Sequence, residues 1–322
     1  MTSKNDNLSD DDLIDRFLQG TSRTFALAIP LLAAQRRRQI GLSYLLFRIV
    51  DSIEDAADTD VVVKCELLLA LRSRFSQTDV SLLNSSDTAT TDDSLTADPI
   101  QLRGLWPDGS PTGQLLLAFP RLFAIFDSLP SSARQVICKA LNSTISGMHR
   151  FIEASKGLPH QIQLQSLDDL RLYCYVVAGI VGEMLTDIFV YHHSCGQAVY
   201  QDLRRLSIGF GEFLQLVNIL KDSKVDAAGG RLFIPSATSR ESVYQLAMVG
   251  REDARAYISL LASNGFPQDI VLFCRFIFML AEGSLQRLRD RGAGSKLTRI
   301  EVMQILSAVQ SDSDHLSECG LA

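Results

Sequence analysis

Helical periodicity runs through almost all of this chain, and in two of its most apolar stretches the repeat carries carboxylates. In the first, Arg48, Asp51 and Asp55 fall along one stripe, with Tyr44 a turn earlier and Glu54 beside them, at roughly 100° per residue. In the second, Gln215, Asn218, Asp222 and Asp226 stand at i, i+3, i+7 and i+11. The other sides of both stretches are apolar: Leu45, Leu46, Phe47, Ile49 and Val50, then Phe213, Leu214, Leu216, Val217, Ile219 and Leu220. A helix apolar on most sides with a thin acidic seam is expected to be buried, its seam toward a polar cavity. Buried carboxylates need counter-charge, because desolvation alone is costly. Two facing acidic seams of oxygen ligands suit Mg²⁺, which takes one or two carboxylates plus water and phosphate oxygens. The chemistry expected is a diphosphate substrate held by metal. A single acidic pair on a helix is most often a solvated face. Here Arg48 and Lys221 stand on or near the seams, in surroundings too apolar for a surface helix.

Composition sets wider bounds. A chain of 322 residues, 46% of them hydrophobic, buries a large core. A net charge of −6 with no basic block argues against nucleic acid as a partner, and Arg36, Arg37 and Arg38 read as a solvated helix face. Six cysteines without a Cys-x-x-Cys spacing read as reduced thiols of a cytosolic protein. His192 and His193 lack a partner motif, so zinc is not expected and a helix end or loop is. Residues 1–12 are polar and acidic, so no secretory signal is read. The most apolar runs are interrupted, 176–191 by Glu183 and Asp187 and 271–280 by Arg275, so no membrane span is expected. Cytoplasmic location follows, with peripheral membrane contact for release of an apolar product, and a monomer is expected.

Strand signals are nearly absent. Helices are expected over 10–18 (capped by Asp10, Asp11 and Asp12 and ended by Gly20), from Thr21 to near Pro30, and over 35–57 and 61–75. Residues 76–113, rich in Ser, Thr, Asp, Gly and Pro, read as a long surface loop. Helices follow over 114–128, 133–154, 166–192, 201–225, 251–263, 267–290 and 299–309, with a break at Gly229 and Gly230. The expected architecture is all-α, one helical domain over 1–322.

Four blocks then carry a resemblance. They are Thr21-Ser22-Arg23-Thr24-Phe25, Asp51-Ser-Ile-Glu54-Asp55 preceded by Tyr44 and Arg48, and Tyr173-Cys-Tyr-Val-Val-Ala-Gly179-Ile-Val-Gly182-Glu183. The fourth is Gln215-x-x-Asn218-x-x-x-Asp222-x-x-x-Asp226 with Gly230-Arg231-Leu-Phe-Ile-Pro235 after it. In this order they resemble the squalene/phytoene synthases, head-to-head prenyltransferases of the all-α isoprenoid synthase fold, over about residues 21–302. The resemblance implies Mg²⁺ held by Asp51, Asp55, Asp222 and Asp226, with Glu54 nearby and Asn218 completing the second side. It implies a diphosphate gripped by Arg48, Arg23, Lys221 and Arg231, hydroxyls from Ser22 and Thr24, and further substrate contacts from Phe25, Tyr44 and Gln215. Lys221 reads equally well as a solvated neighbour of its seam. Tyr173 aligns with a tyrosine linked to proton transfer; its bland reading is a helix-lining aromatic. Phe25, Tyr44, Phe47, Tyr175 and Phe213 could wall a carbocation, although most aromatics at helical spacing are core. Gly179 and Gly182 let a hydrocarbon tail or another helix come close.

The product stays open. Squalene synthases reduce the cyclopropyl intermediate with NADPH, whereas dehydrosqualene and phytoene synthases do not. The Thr-Ser-Arg-Thr-Phe segment, Gly229-Gly230-Arg231, and Phe273-Cys274 with Lys296 to Val302 resemble the squalene branch. Gly182-Glu183-Met-Leu-Thr186 resembles the carotenoid branch. The balance favours squalene made from two farnesyl diphosphates, in a form without the C-terminal anchor of eukaryotic members. A terpene cyclase or head-to-tail prenyltransferase would carry different aspartate motifs, and a non-catalytic helical assembly factor would have eroded ones.

Overall fold

A computed structural model describes residues 8–83, 102–158 and 161–318. Among the described residues the backbone is helical almost throughout, and one two-residue parallel pair, β1 (Ile162–Gln163) with β2 (Arg231–Leu232), is the sheet. The all-α expectation holds. Contacts divide the chain into two compact units, Met1–Ala26 with Ala34–Gly157 and Leu27–Ala33 with Leu158–Ala322.

In the first unit, α1 (Asp10–Thr21) is capped by Ser9, whose hydroxyl accepts from the Asp12 amide. Asp10, Asp11 and Asp12 therefore occupy the first turn, where their charge meets the positive end of the helix dipole. Gly20 does not end the helix. α3 (Ala34–Glu54) buries Leu42, Leu45, Leu46, Ile49 and Val50 completely or nearly so. Its N-terminal arginines pair with α1, Arg37 with Asp15 and Arg38 with Asp10 and Asp11. α4 (Val61–Leu83) runs past Phe75 into the stretch read as loop, and α5 (Pro111–Leu117) begins before that stretch was expected to end. Ser110 and Pro111 form a capped start that composition alone does not reveal; residues 84–101 lie outside the described residues. The helix expected over 114–128 is two, α5 and α6 (Phe119–Asp127), because Pro120 has no amide to donate. α7 (Ser131–Ala154) packs along α4, with Ile137, Leu141 and Ile145 fully buried.

In the second unit, α8 (Leu167–Cys174) starts from a capping box of Ser166 and Asp169. It passes through a π-helical turn (Tyr175–Gly179) into α9 (Ile180–His192), so the two histidines stand at a helix end. α10 (Gln197–Ala228) is the central element, packed on the π-turn and α9 on one flank and on α11 (Arg240–Ser263) on the other. α12 (Gln268–Arg291) and α13 (Arg299–Glu318) complete the unit. α10 begins four residues and α11 eleven residues before the sequence-based starts, each preceded by a residue in extended conformation, Gly196 and the capping Ser239.

Small residues set how near these helices come. A Cβ added at Gly211 would lie 2.3 Å from the Ala178 carbonyl oxygen, and one at Gly182 2.3 Å from that of Ser207. On the other flank, a Cβ at Gly250 would lie 2.6 Å from the Gly209 carbonyl oxygen. Gly182 thus admits a neighbouring helix. The segment Leu167–His192 is long and apolar enough, by length and composition, to cross a membrane, with half of it buried in the protein. The two acids of α9 pair with α10: Arg204 reaches Glu183 at 2.8 Å and Asp187 at 2.9 Å. That pairing and the tight glycine contacts mark it as a core helix of the second unit.

Gly211→Ala or Gly182→Ala is expected to cost about 1–3 kcal/mol by forcing α10 away from the π-turn or from α9. Gly109→Ala, where an added Cβ meets nothing within 4 Å, is expected to be near neutral. Thermal unfolding followed by circular dichroism separates the two outcomes.

Candidate active site

The first acidic seam is assembled by α1, α3 and the short link between α1 and α2 (Phe25–Ala28). Ser22 ends α1, and its hydroxyl accepts from the Phe25 amide at 2.9 Å, which starts α2. The Phe25 ring lies 5.0 Å from that of Tyr44, whose hydroxyl reaches the Thr21 carbonyl at 3.4 Å. Burial raises the Tyr44 hydroxyl pKa, while a hydrogen bond with Ser22 and the charge of Arg48 oppose the rise. Ser22, Phe25, Tyr44, Arg48 and Asp51 therefore come together. Arg23 is exposed on the same link, next to half-buried Thr24.

Along the seam, Arg48 Nη1 lies 3.4 Å from Asp55 Oδ2. Part of the Asp51 surface stays open to solvent, yet its carboxyl is enclosed. Burial pushes its pKa up to about 7; Arg48 pulls it down and Asp55 adds to the rise. Arg48 Nε is buried with no hydrogen-bond partner among the described residues. An under-compensated carboxylate next to an unused guanidinium donor calls for a cation and an anion together, which Mg²⁺ with a phosphate oxygen supplies. Glu54 differs from its neighbours. It is 4% exposed and faces inward, so it does not share the solvent-open side of Asp51 and Asp55.

The second seam lies on α10 and is already ion-paired. Lys221 Nζ donates to Asn218 Oδ1 at 2.7 Å and lies 3.4 Å from Asp222 Oδ2. Lys221 is thus a partner of the seam. Asp226 pairs with Arg231 of β2 at 3.0 Å. Gln215 is half-buried one turn before Asn218, which is exposed. Tyr173 is 4% exposed, its ring 4.8 Å from that of Phe233 two residues beyond Arg231. Of the other aromatics, Phe213 is core, 5.9 Å from Phe278, and Phe47 is buried. The Tyr175 hydroxyl donates to Glu183 at 3.2 Å.

Among the described residues no three His, Cys, Asp or Glu side chains gather into a ready-made metal cage. The unit offered is a pair of carboxylates one turn apart, a donor set that fits Mg²⁺ completed by water and phosphate. Lys296, in the link between α12 and α13, reaches Asp222 Oδ1 at 3.4 Å and was not foreseen. That link is tied to α10 by the Gly294 amide, which donates to the Lys221 carbonyl at 2.9 Å. No local pattern announces such a partner from so far along the chain.

Residues 18–264 match the profile of a family described as squalene/phytoene synthase. The squalene synthase of Eremothecium gossypii is 29% identical over 220 residues, 68% of this chain and 45% of that protein. The human squalene synthase is 28% identical over 275 residues, 85% of this chain and 55% of that protein. The chain spans about half the length of the curated relatives it matches. A complex of TcSQS with the ligand BPH1237 aligns at a TM-score of 0.73 and 21% identity, over 93% of this chain and 86% of that one. The likeness carries the fold, that of the all-α isoprenoid synthases.

Asp51 generates a pH prediction. Its carboxyl binds a proton more tightly folded, near pH 7, than unfolded, near 3.8. Stability therefore falls as pH rises from about 4 to about 7, and the full penalty, about 4 kcal/mol at most, persists above that range. Asp51→Asn is expected to raise the melting temperature of metal-free protein by several degrees at pH 8. The gain should shrink toward pH 5, as read by thermal denaturation across pH.

Proposed function

The chain belongs to the squalene/phytoene synthase family, and from that premise we propose that it joins two allylic prenyl diphosphates head to head. The observation that carries this reading is the α3 seam, where enclosed Asp51 and neighbouring Asp55 stand beside a buried, unused Arg48 donor. In this reading Asp51 on α3 with Asp55 just after it, and Asp222 and Asp226 with Asn218 on α10, would hold Mg²⁺. The metal, when bound, neutralises the charge that builds on the departing diphosphate.

The chain's own residues do the rest. Arg48 turns its spare donor to a phosphate oxygen, and Ser22, Arg23 and Thr24 line up hydroxyls and charge along the same edge. Lys221 and Arg231 already hold seam carboxylates and would turn to phosphate oxygens once metal takes their place. Phe25 and Tyr44 offer aromatic faces next to that edge, where a carbocation is shielded from water. Tyr173, buried against Phe233, serves the proton-transfer step. Farnesyl diphosphate is the proposed substrate and squalene the proposed product, with hydride from NADPH, because the sequence relatives described above are named squalene synthases. The proposed setting is cytoplasmic, with peripheral membrane contact for product release.

Mg²⁺-dependent release of pyrophosphate from farnesyl diphosphate tests the reading. Asp51→Asn and Asp222→Asn are each expected to lower turnover by two or more orders of magnitude while helical content stays unchanged. Lipid extraction with and without NADPH then reads the product. Near-normal turnover in either variant sinks the metal assignment. Absence of turnover on both farnesyl and geranylgeranyl diphosphate favours the assembly-factor reading.

A further inference from the structure

Lysine is almost never fully buried unless something holds its charge, yet Lys64 of α4 is 1% exposed. Its Nζ donates at 2.6 Å to the backbone carbonyl of Glu54, the last residue of α3. The neighbouring carbonyls of that turn are taken as well. The indole Nε1 of Trp106 donates to the Ser52 carbonyl at 2.9 Å. The Asp55 amide donates to the Asp51 carbonyl at 2.9 Å, and the Ser52 hydroxyl to the Arg48 carbonyl at 2.6 Å. The end of α3 is thus held by side chains from two other segments, the next helix, α4, and the stretch before α5.

Ending a helix does not need this. α10 and α12 stop at Gly229 and Gly292, whose backbone amides satisfy the last carbonyls. Burying an ammonium is far costlier than placing a glycine. The helix end that receives it is the one whose final turn carries Asp51 and which Asp55 directly follows. Two carboxylates share a metal only if the turn between them keeps its pitch, and their mutual repulsion works to unwind that turn. A cation on the terminal carbonyls opposes the unwinding and favours the helix dipole.

We propose that Lys64, assisted by Trp106, is a positioning residue for the α3 seam, holding Asp51 and Asp55 at the spacing with which they take a divalent cation. This rests on the function proposed above. The full chain is tested as Lys64→Met, which keeps length and loses the donor, and as Trp106→Phe, which removes the Ser52 contact without burying a charge. Leu68→Ala, in the core face of the same helix, is the stability control.

Two readouts are taken: calorimetric binding of Mn²⁺ in the presence of inorganic pyrophosphate, and the Mg²⁺ concentration for half-maximal turnover. Lys64→Met is expected to weaken Mn²⁺ binding and raise the Mg²⁺ requirement about tenfold or more, with much of the lost turnover recovered at high Mg²⁺. Trp106→Phe should shift both the same way by a smaller factor, and Leu68→Ala should lower the melting temperature without moving either. Unchanged Mn²⁺ binding and Mg²⁺ requirement in folded Lys64→Met, or in Trp106→Phe should Lys64→Met not fold, overturns the inference. So does an equal shift in Leu68→Ala. Failure of the functional reading looks different: wild type would then show neither Mg²⁺-dependent turnover nor a loss on Asp51→Asn.

Discussion

A carboxylate enclosed among apolar side chains is stable as an anion only beside positive charge, and α3 brings Asp51 and Asp55 together with Arg48 as the seam's own cation. Burial dominates there, holding the Asp51 proton up to about pH 7. The other features of the first unit follow from that constraint. Leu42 to Val50 bury the helix that creates the enclosure. The link after α1 brings Ser22 and Phe25 to its rim. The last turn is secured from outside by Lys64 and Trp106.

The second seam solves the same problem differently. Its carboxylates are held by lysines and an arginine of their own unit, Lys221 and Lys296 on Asp222 and Arg231 on Asp226. The surroundings are partly open to water, so these pairs are weak individually and readily exchanged. Stability of the second unit comes instead from its buried apolar side chains, Phe210, Phe213, Leu216 and Leu220 among them, with Gly182, Gly211 and Gly250 letting α10 lie close to both flanks.

Much of this was legible in the residues. The apolar repeat around Asp51 and Asp222 put both on helices, and Ser22, Phe25, Tyr44 and Arg48, read from one motif block and one stripe, lie near one another. Local composition misled where helix formers hide among polar residues, as in 76–83, and where a single proline divides an otherwise even pattern, as at Pro120. Glu54 was grouped with Asp51 and Asp55 by adjacency, although its position a quarter-turn away carries it into the interior. The contacts of Lys64, Trp106, Arg204 and Lys296 were invisible because their partners lie on other elements and are chosen by packing, which no periodicity encodes.

The π-helical turn at Tyr175–Gly179 has a geometrical consequence of its own. A π-turn accommodates one residue more than an α-helical turn, so every side chain after it is rotated by about 100° relative to an uninterrupted helix. Tyr173 precedes this phase step; Glu183 and Asp187 follow it. The step lets one continuous rod send a tyrosine toward Phe233 and an acidic pair toward Arg204, two directions that a regular helix of this sequence would not combine.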